Sequence, residues 1–130
     1  MIDWDEIRYF KRHEFKYHDD IEPDERLVLL LDEARLFAGI PFTINSGIRS
    51  PAHNASVGGS PDSAHLTGHA VDIRAVTSRH RFNVVDGLMA AGATRIGINP
   101  WRGFIHVDTD PSKPQNVIWI YDQQPDENQP

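Results

Sequence analysis

A chain of 130 residues without one cysteine cannot be stapled by disulfides, so whatever it folds into must be held by a buried apolar core. At this length a single domain buries roughly two thirds of the surface that its unfolded chain exposes, which is enough. The same absence removes thiol nucleophiles and Cys-type zinc sites, leaving His, Asp and Glu as the side chains able to hold a metal. Thirteen Lys and Arg against nineteen Asp and Glu give a formal charge of −6, which makes a phosphate backbone a poor partner and argues against nucleic-acid binding. The opening Met1-Ile2-Asp3-Trp4-Asp5-Glu6 has neither the basic flank nor the apolar run of a signal peptide, and no stretch approaches the roughly eighteen apolar residues of a membrane span. The expectation is a monomer of cytoplasmic synthesis with no membrane span.

Periodicity and punctuation divide the chain. Residues 3–18 are amphipathic and charge-mixed, and predict a helix carrying Trp4, Ile7, Tyr9, Phe10 and Phe15. Asp19 to Asp24 reads as a turn, with Asp24 placed to cap a helix on which Leu27, Leu30, Leu31, Ala34 and Ala38 recur at helical spacing before Gly39. Phe42 to Asn45 alternates as a short strand, and Ser50-Pro51 opens a short helical turn reaching Ala55. Gly58-Gly59-Ser60-Pro61 is a loop and Ala70 to Ile73 a strand. Ser78 can cap a helix with Phe82, Val85, Leu88 and Met89 inward, ended by Gly92; strands follow near 94–98, 104–108 and 116–121. Helices early and strands late predict a single α+β domain over 1–122, its helices packed on a small, mostly antiparallel sheet. Residues 123–130 lack aliphatic side chains and read as a flexible polar tail.

Two segments concentrate chemistry: Ser63-Ala64-His65-Leu66-Thr67-Gly68-His69-Ala70-Val71-Asp72 and Gly103-Phe104-Ile105-His106-Val107-Asp108. On a strand, residues two apart share a face, so Phe104, His106 and Asp108 project together, as do Ala70 and Asp72, while Val71 and Ile73 point the other way into apolar packing. His65 must reach back across Gly68, and the small Ala70 leaves room beside the Asp72 carboxylate for an ion. Catalytic zinc needs three His or carboxylate ligands and one position kept for water, and His65, Asp72 and His106 meet that requirement, with the zinc site on the sheet. Bound Zn²⁺ lowers its water's pKa to about 7 and polarises a carbonyl, which together make amide hydrolysis feasible near neutral pH.

The order S-x-H-x-x-G-x-A-x-D and then H-x-D resembles the zinc D-alanyl-D-alanine carboxypeptidase family of metallopeptidases, the short single-domain cell-wall peptidases of phages and bacteria above all. Ile44-Asn45-Ser46-Gly47-Ile48-Arg49-Ser50-Pro51-Ala52-His53-Asn54 is similar to that family's S-G-[YF]-R-[ST]-x-x-x-N segment. The four fixed positions from His65 to Asp72 arise by chance in about one chain in a thousand of this length. The resemblance implies zinc on His65, Asp72 and His106. It implies Arg49 as a catalytic residue at the substrate or the developing oxyanion, against the bland reading of a structural salt bridge at the strand end. It also implies a substrate in the peptide part of peptidoglycan, a stem peptide or another D-amino-acid peptide, and it makes phage or prophage origin an expectation.

One departure bears on mechanism. Many members carry Glu, Asp or His three to six residues before the last zinc ligand, and here that stretch is Pro100-Trp101-Arg102-Gly103. Asp108 is then the nearest carboxylate with a defined direction, either as the general base or as a partner that orients His106. His53 and His69 are further candidates, and Trp101 is either core or a wall for a peptide. The departure also keeps open a zinc-stabilised binding or structural domain without hydrolytic activity.

Overall fold

The computed structural model describes residues 1–16 and 21–122; the expected tail 123–130 and the expected turn at Asp19-Asp20 lie outside them. Three helices, α1 (Glu25–Ala38), α2 (Pro51–Ser56) and α3 (Ser78–Ala90), accompany five strands, β1 (Ile44–Ser46), β2 (Ala70–Arg74), β3 (Arg95–Asn99), β4 (Phe104–Asp108) and β5 (Val117–Ile120). The strands form one sheet in the order β1-β2-β4-β3-β5, antiparallel throughout except for the parallel pair β3–β5. This is the expected α+β domain.

α1 begins where Asp24 accepts from the Leu27 N–H at 3.2 Å, and buries Leu27, Val28, Leu31 and Ala34. α3 packs against it through Gly87, where an added Cβ would stand 2.5 Å from the Ala34 carbonyl oxygen. That close approach turns Val84 and Leu88 inward, with Val85 only partly buried, and leaves Phe82 and Met89 in solvent at 69% and 52% exposure. Side-chain size therefore misplaced Phe82 and Met89 on the inner face. The cap is also one residue earlier than expected: Thr77, not Ser78, accepts from the His80 N–H at 3.1 Å.

The helix expected over 3–18 is not formed; its last two residues, 17 and 18, lie outside the described region. Two short 3-10 turns, Trp4–Glu6 and Arg12–Phe15, replace it. The reason is tertiary. Asp32 is buried on α1, and its carboxylate accepts from the Arg8 N–H at 3.1 Å and the Tyr9 N–H at 2.8 Å, so these amides turn to Asp32. A buried carboxylate without donors costs far more than one turn of surface helix contributes. Ile7, Phe10 and Phe15 still enter the core.

The sheet divides the molecule. Val71, Ile73, Ile96, Ile105 and Val107 lie on the helix side and are almost completely buried. Arg95, Gly97, Asn99, Phe104, His106 and Asp108, at the alternate positions, lie on the other face.

Candidate metal centre

The register places Asp72 opposite His106 on the antiparallel pair β2–β4. His65 arrives from outside the sheet, on a 3-10 turn, Ala64–Thr67, that leads directly into β2. The Ser63 side chain accepts from the His65 N–H at 3.2 Å, and Gly68 closes the turn at φ 78°, a conformation that a Cβ disfavours. The Arg49 N–H donates to the His65 carbonyl at 3.0 Å, which joins the two sequence segments in space.

One ligand atom from each of His65, Asp72 and His106 lies within 4.8 Å of the other two, and all three residues are buried. Donor and acceptor accounting shows what the trio needs. His65 Nδ1 lies 2.7 Å from the Gly47 carbonyl oxygen, which can only accept, so Nδ1 carries the proton and Nε2 is bare. That bare nitrogen faces Asp72 Oδ1 at 3.3 Å. His106 Nε2 lies 2.7 Å from Asp108 Oδ2 and donates to it, so in the neutral ring Nδ1 is bare, 3.0 Å from the same Asp72 Oδ1. With both rings neutral, three lone pairs converge with no proton between them, an arrangement that is relieved by a bound cation or by a proton on His106 Nδ1. Tetrahedral zinc, with bonds of about 2.0–2.2 Å, sets its ligand atoms roughly 3.3 Å apart, close to the two spacings from the imidazoles to Asp72 Oδ1. The residues fit the ion.

The proton energetics agree. Burial alone would push the Asp72 carboxyl up, but its close contacts with His106 and then His65 hold it well below the ordinary carboxylate range. Burial would push the His106 imidazolium down, yet contacts with Asp108 and then Asp72 raise its pKa above the usual value. Asp108 is lowered in turn: burial opposes, and the His106 and Arg95 hydrogen bonds prevail. An imidazole that prefers to be charged between two carboxylates marks a place where positive charge is wanted.

Arg49 is committed on three sides. Nε donates to Ser46 Oγ at 3.0 Å, one Nη to Asn54 Oδ1 at 3.1 Å and the other to Asp72 Oδ2 at 3.3 Å, which leaves two of its five N–H groups over. Asp108, only 2% exposed, accepts from His106, from Arg95 Nε at 2.7 Å and from the Asp110 N–H at 3.1 Å. These contacts occupy both oxygens of its carboxylate.

The trio opens on a cleft of about 370 Å³. One side is the 57–63 loop; the other is aromatic, with Phe104, Trp119, Tyr121 and Trp101. Trp101 is 57% exposed and its Nε1 donates to the Tyr121 carbonyl at 3.1 Å, so it stands as a wall. Burial, and then the charge of Asp72, push the Tyr121 hydroxyl up to about 12, which keeps it a donor. His53 and His69 do not line the cleft; His69 instead pairs with Thr67 Oγ1 at 2.8 Å. The lining carboxylates besides Asp72 and Asp108 are Asp62 and Asp122.

Arg95, Trp119 and Tyr121 were not singled out in the sequence. The signal was present: in Arg95-Ile96-Gly97-Ile98-Asn99 the apolar residues alternate with a set that must face away from the core. Gly97 is opposite Trp119, whose indole lies across it.

A buried His-Asp-His trio on the polar face of an antiparallel sheet, open to a cleft, defines a metallohydrolase-type centre. The family model for Peptidase M15 matches residues 10–108, and the chain belongs to that family of metallopeptidases. No curated protein matches the sequence. No helix among the described residues is long and apolar enough to cross a membrane.

Proposed function

We propose that the chain is a zinc-dependent peptidase that hydrolyses amide bonds in the peptide part of peptidoglycan. The observation that carries the reading is the convergence of the bare His65 Nε2, the bare His106 Nδ1 and Asp72 Oδ1 beside an open cleft, in a member of the M15 family. The metal reading follows from that geometry, and the peptidoglycan class from the resemblance of the three sequence segments. Structural zinc sites are closed by four protein ligands, whereas three ligands beside an open cleft match the catalytic kind, which weighs against a purely zinc-stabilised domain.

His65, Asp72 and His106 hold the ion, and Gly47 and Asp108 fix the imidazole tautomers from behind. Zinc, when bound, supplies an acidified water and a Lewis acid for the scissile carbonyl. Arg49 neutralises the outer oxygen of Asp72 and directs its remaining N–H groups at charge that develops on the substrate. Asp108 serves as the orienting partner of His106, since its oxygens are occupied. The aromatic wall flanks the peptide, and the Tyr121 hydroxyl, protonated across the neutral range, offers a donor.

The experiment is hydrolysis of purified stem peptide and of a D-Ala-D-Ala peptide by the zinc-loaded protein, by chelated protein and after zinc is restored. Turnover that disappears with chelator and returns with zinc is expected. A folded protein carrying stoichiometric zinc that cleaves neither substrate would overturn the peptidase reading.

A further inference from the structure

Arg95 lies outside every motif that carries the family resemblance, yet it is one of the most deeply buried cations in the described structure, 8% exposed. A buried guanidinium is retained only with good partners. Arg95 has three, of which Asp108 and Trp119 line the cleft beside the His-Asp-His trio. Nε donates to Asp108 Oδ1 at 2.7 Å, Nη1 donates to the Pro114 carbonyl at 2.6 Å, and the guanidinium lies 5.0 Å from the Trp119 ring centroid. Asp108 in turn holds His106 Nε2 through its other oxygen, and the His106 ring lies 5.5 Å from the same indole.

We propose that Arg95 is a positioning residue for the metal centre: by fixing Asp108 it aims the bare nitrogen of His106 at the ion, and by stacking on Trp119 it holds the cleft wall beside that ring. The inference rests on the reading of His106 as a metal ligand. A carboxylate two residues from His106 on the same strand has torsional freedom of its own. Held from one side by a planar cation and from the other by the imidazole, it has a single arrangement that serves both. The Pro114 contact secures the same guanidinium to the segment leading into β5, so wall and ligand share one anchor.

The test measures zinc affinity by chelator competition for wild type, Arg95→Met, Asp108→Asn and the double variant, with melting temperature as the folding control. Removing an outer partner of a metal ligand costs about 10- to 100-fold in metal affinity. Asp108→Asn removes that partner and is expected to show a loss in this range, while Arg95→Met, one contact further out, is expected to weaken zinc by about 10-fold, the lower end, and to add nothing further in the Asp108→Asn background, because it acts through Asp108. Arg95→Lys keeps the charge but loses the fork, and should recover part of the loss; if the Met variant does not fold, the Lys variant carries the test with a smaller weakening. A second readout needs no metal: the His106 Nε2 proton, shielded by Asp108, should give an exchange-protected downfield NMR signal in the metal-free wild type and lose it in Arg95→Met. Unchanged zinc affinity and an unchanged signal, with only a lower melting temperature, would overturn the proposal, as would additive losses in the double variant. Should the folded wild type bind no zinc, the proposal falls together with the reading of His106 as a ligand, whereas zinc bound without hydrolysis would overturn the peptidase reading and leave Arg95 to the measurements above.

Discussion

Gly97→Ala tests whether the cleft wall is built as described. Gly97 occupies the polar face of β3, between His106 of β4 and Trp119 of β5 in the ladder. Its φ is not positive, so alanine strains no dihedral. A methyl there would lie 2.6–2.7 Å from three atoms of the Trp119 indole. Ordinary carbon contacts are about 3.5–4.0 Å, so the ring must retreat by about 1 Å. It has little room, with the His106 centroid 5.5 Å away, Tyr121 6.3 Å away and the Arg95 guanidinium 5.0 Å away. Overpacking of this kind costs about 1–3 kcal/mol, while replacing glycine in a strand returns about 0.5–1 kcal/mol. Taken at the midpoints of these ranges, crowding wins by about 1.3 kcal/mol. With an unfolding entropy of about 2.1 cal/mol/K per residue, that lowers Tm by roughly 3–8 °C in a chain of this size. Thermal melting followed by circular dichroism checks the magnitude, and a shift in tryptophan emission reports the displaced indole. A variant that melts within about 1 °C of wild type with unchanged emission would show that the indole does not press on Gly97, and the account of the wall would fall with it.

Three further outcomes are expected. Alanine at His65, Asp72 or His106 should each abolish stoichiometric zinc by metal analysis and most hydrolysis with it, since two remaining ligands can neither retain the ion nor place it; a variant that keeps its zinc would remove that residue from the centre. Arg49→Lys retains charge beside Asp72 but cannot reach Ser46, Asn54 and Asp72 together, so hydrolysis should fall by about ten- to a thousand-fold. A lower melting temperature should accompany the loss, and full activity in a destabilised variant would reduce Arg49 to a structural tie. In the metal-free protein the raised pKa of His106 contributes stability that is present below about 6.5 and lost as pH rises through the folded value, whereas the lowered Asp72 and Asp108 contribute above about 3.8 and are lost as pH falls. Its urea midpoint should therefore peak between about pH 4 and 6.5, and zinc should extend stability to higher pH; a midpoint flat from pH 5 to 9 without metal would contradict the charge assignment.

The meeting of His65, Asp72 and His106 was legible because its signals are local. His106 and Asp108 share a face by strand periodicity, and Asp72 lies opposite Val71 and Ile73 in the pleat. What could not be read was the register that sets Asp72 against His106, a pairing 34 residues apart, or which oxygen would back each ring. The amino-terminal helix failed for a long-range reason of the same kind. Asp32, within the apolar run of α1, was the visible anomaly, and its need for donors decided the conformation of Arg8 and Tyr9. On α3 an intuitive rule misled, since the closest approach to α1 is made at Gly87, the residue with no side chain, and Phe82 was thereby turned outward. Arg95 and Trp119 went unnoticed because each belongs to a short strand whose polar face acquires meaning only in the sheet that also holds β4.

The two faces of the sheet are not independent, and this explains how so small a domain can hold the His-Asp-His trio in place. Val71 and Ile73 on β2, with Ile105 and Val107 on β4, are buried against the helices, and each is paired with its counterpart across the ladder. A slip of one residue between these strands would turn all the apolar side chains of one strand into the cleft, at about 1.5–3 kcal/mol for each large side chain. The core therefore fixes the register, and the register sets Asp72 opposite His106 on the other face. Precision at the His-Asp-His trio is inherited from packing that never touches it. Only His65 lies outside that frame, and it is held locally, by the Ser63 cap, the Gly68 turn, the Gly47 carbonyl behind its ring and the Arg49 amide on its own carbonyl. Damage to the core between β2 and β4 should thus reach two ligands together, while damage around residues 63–68 should reach one.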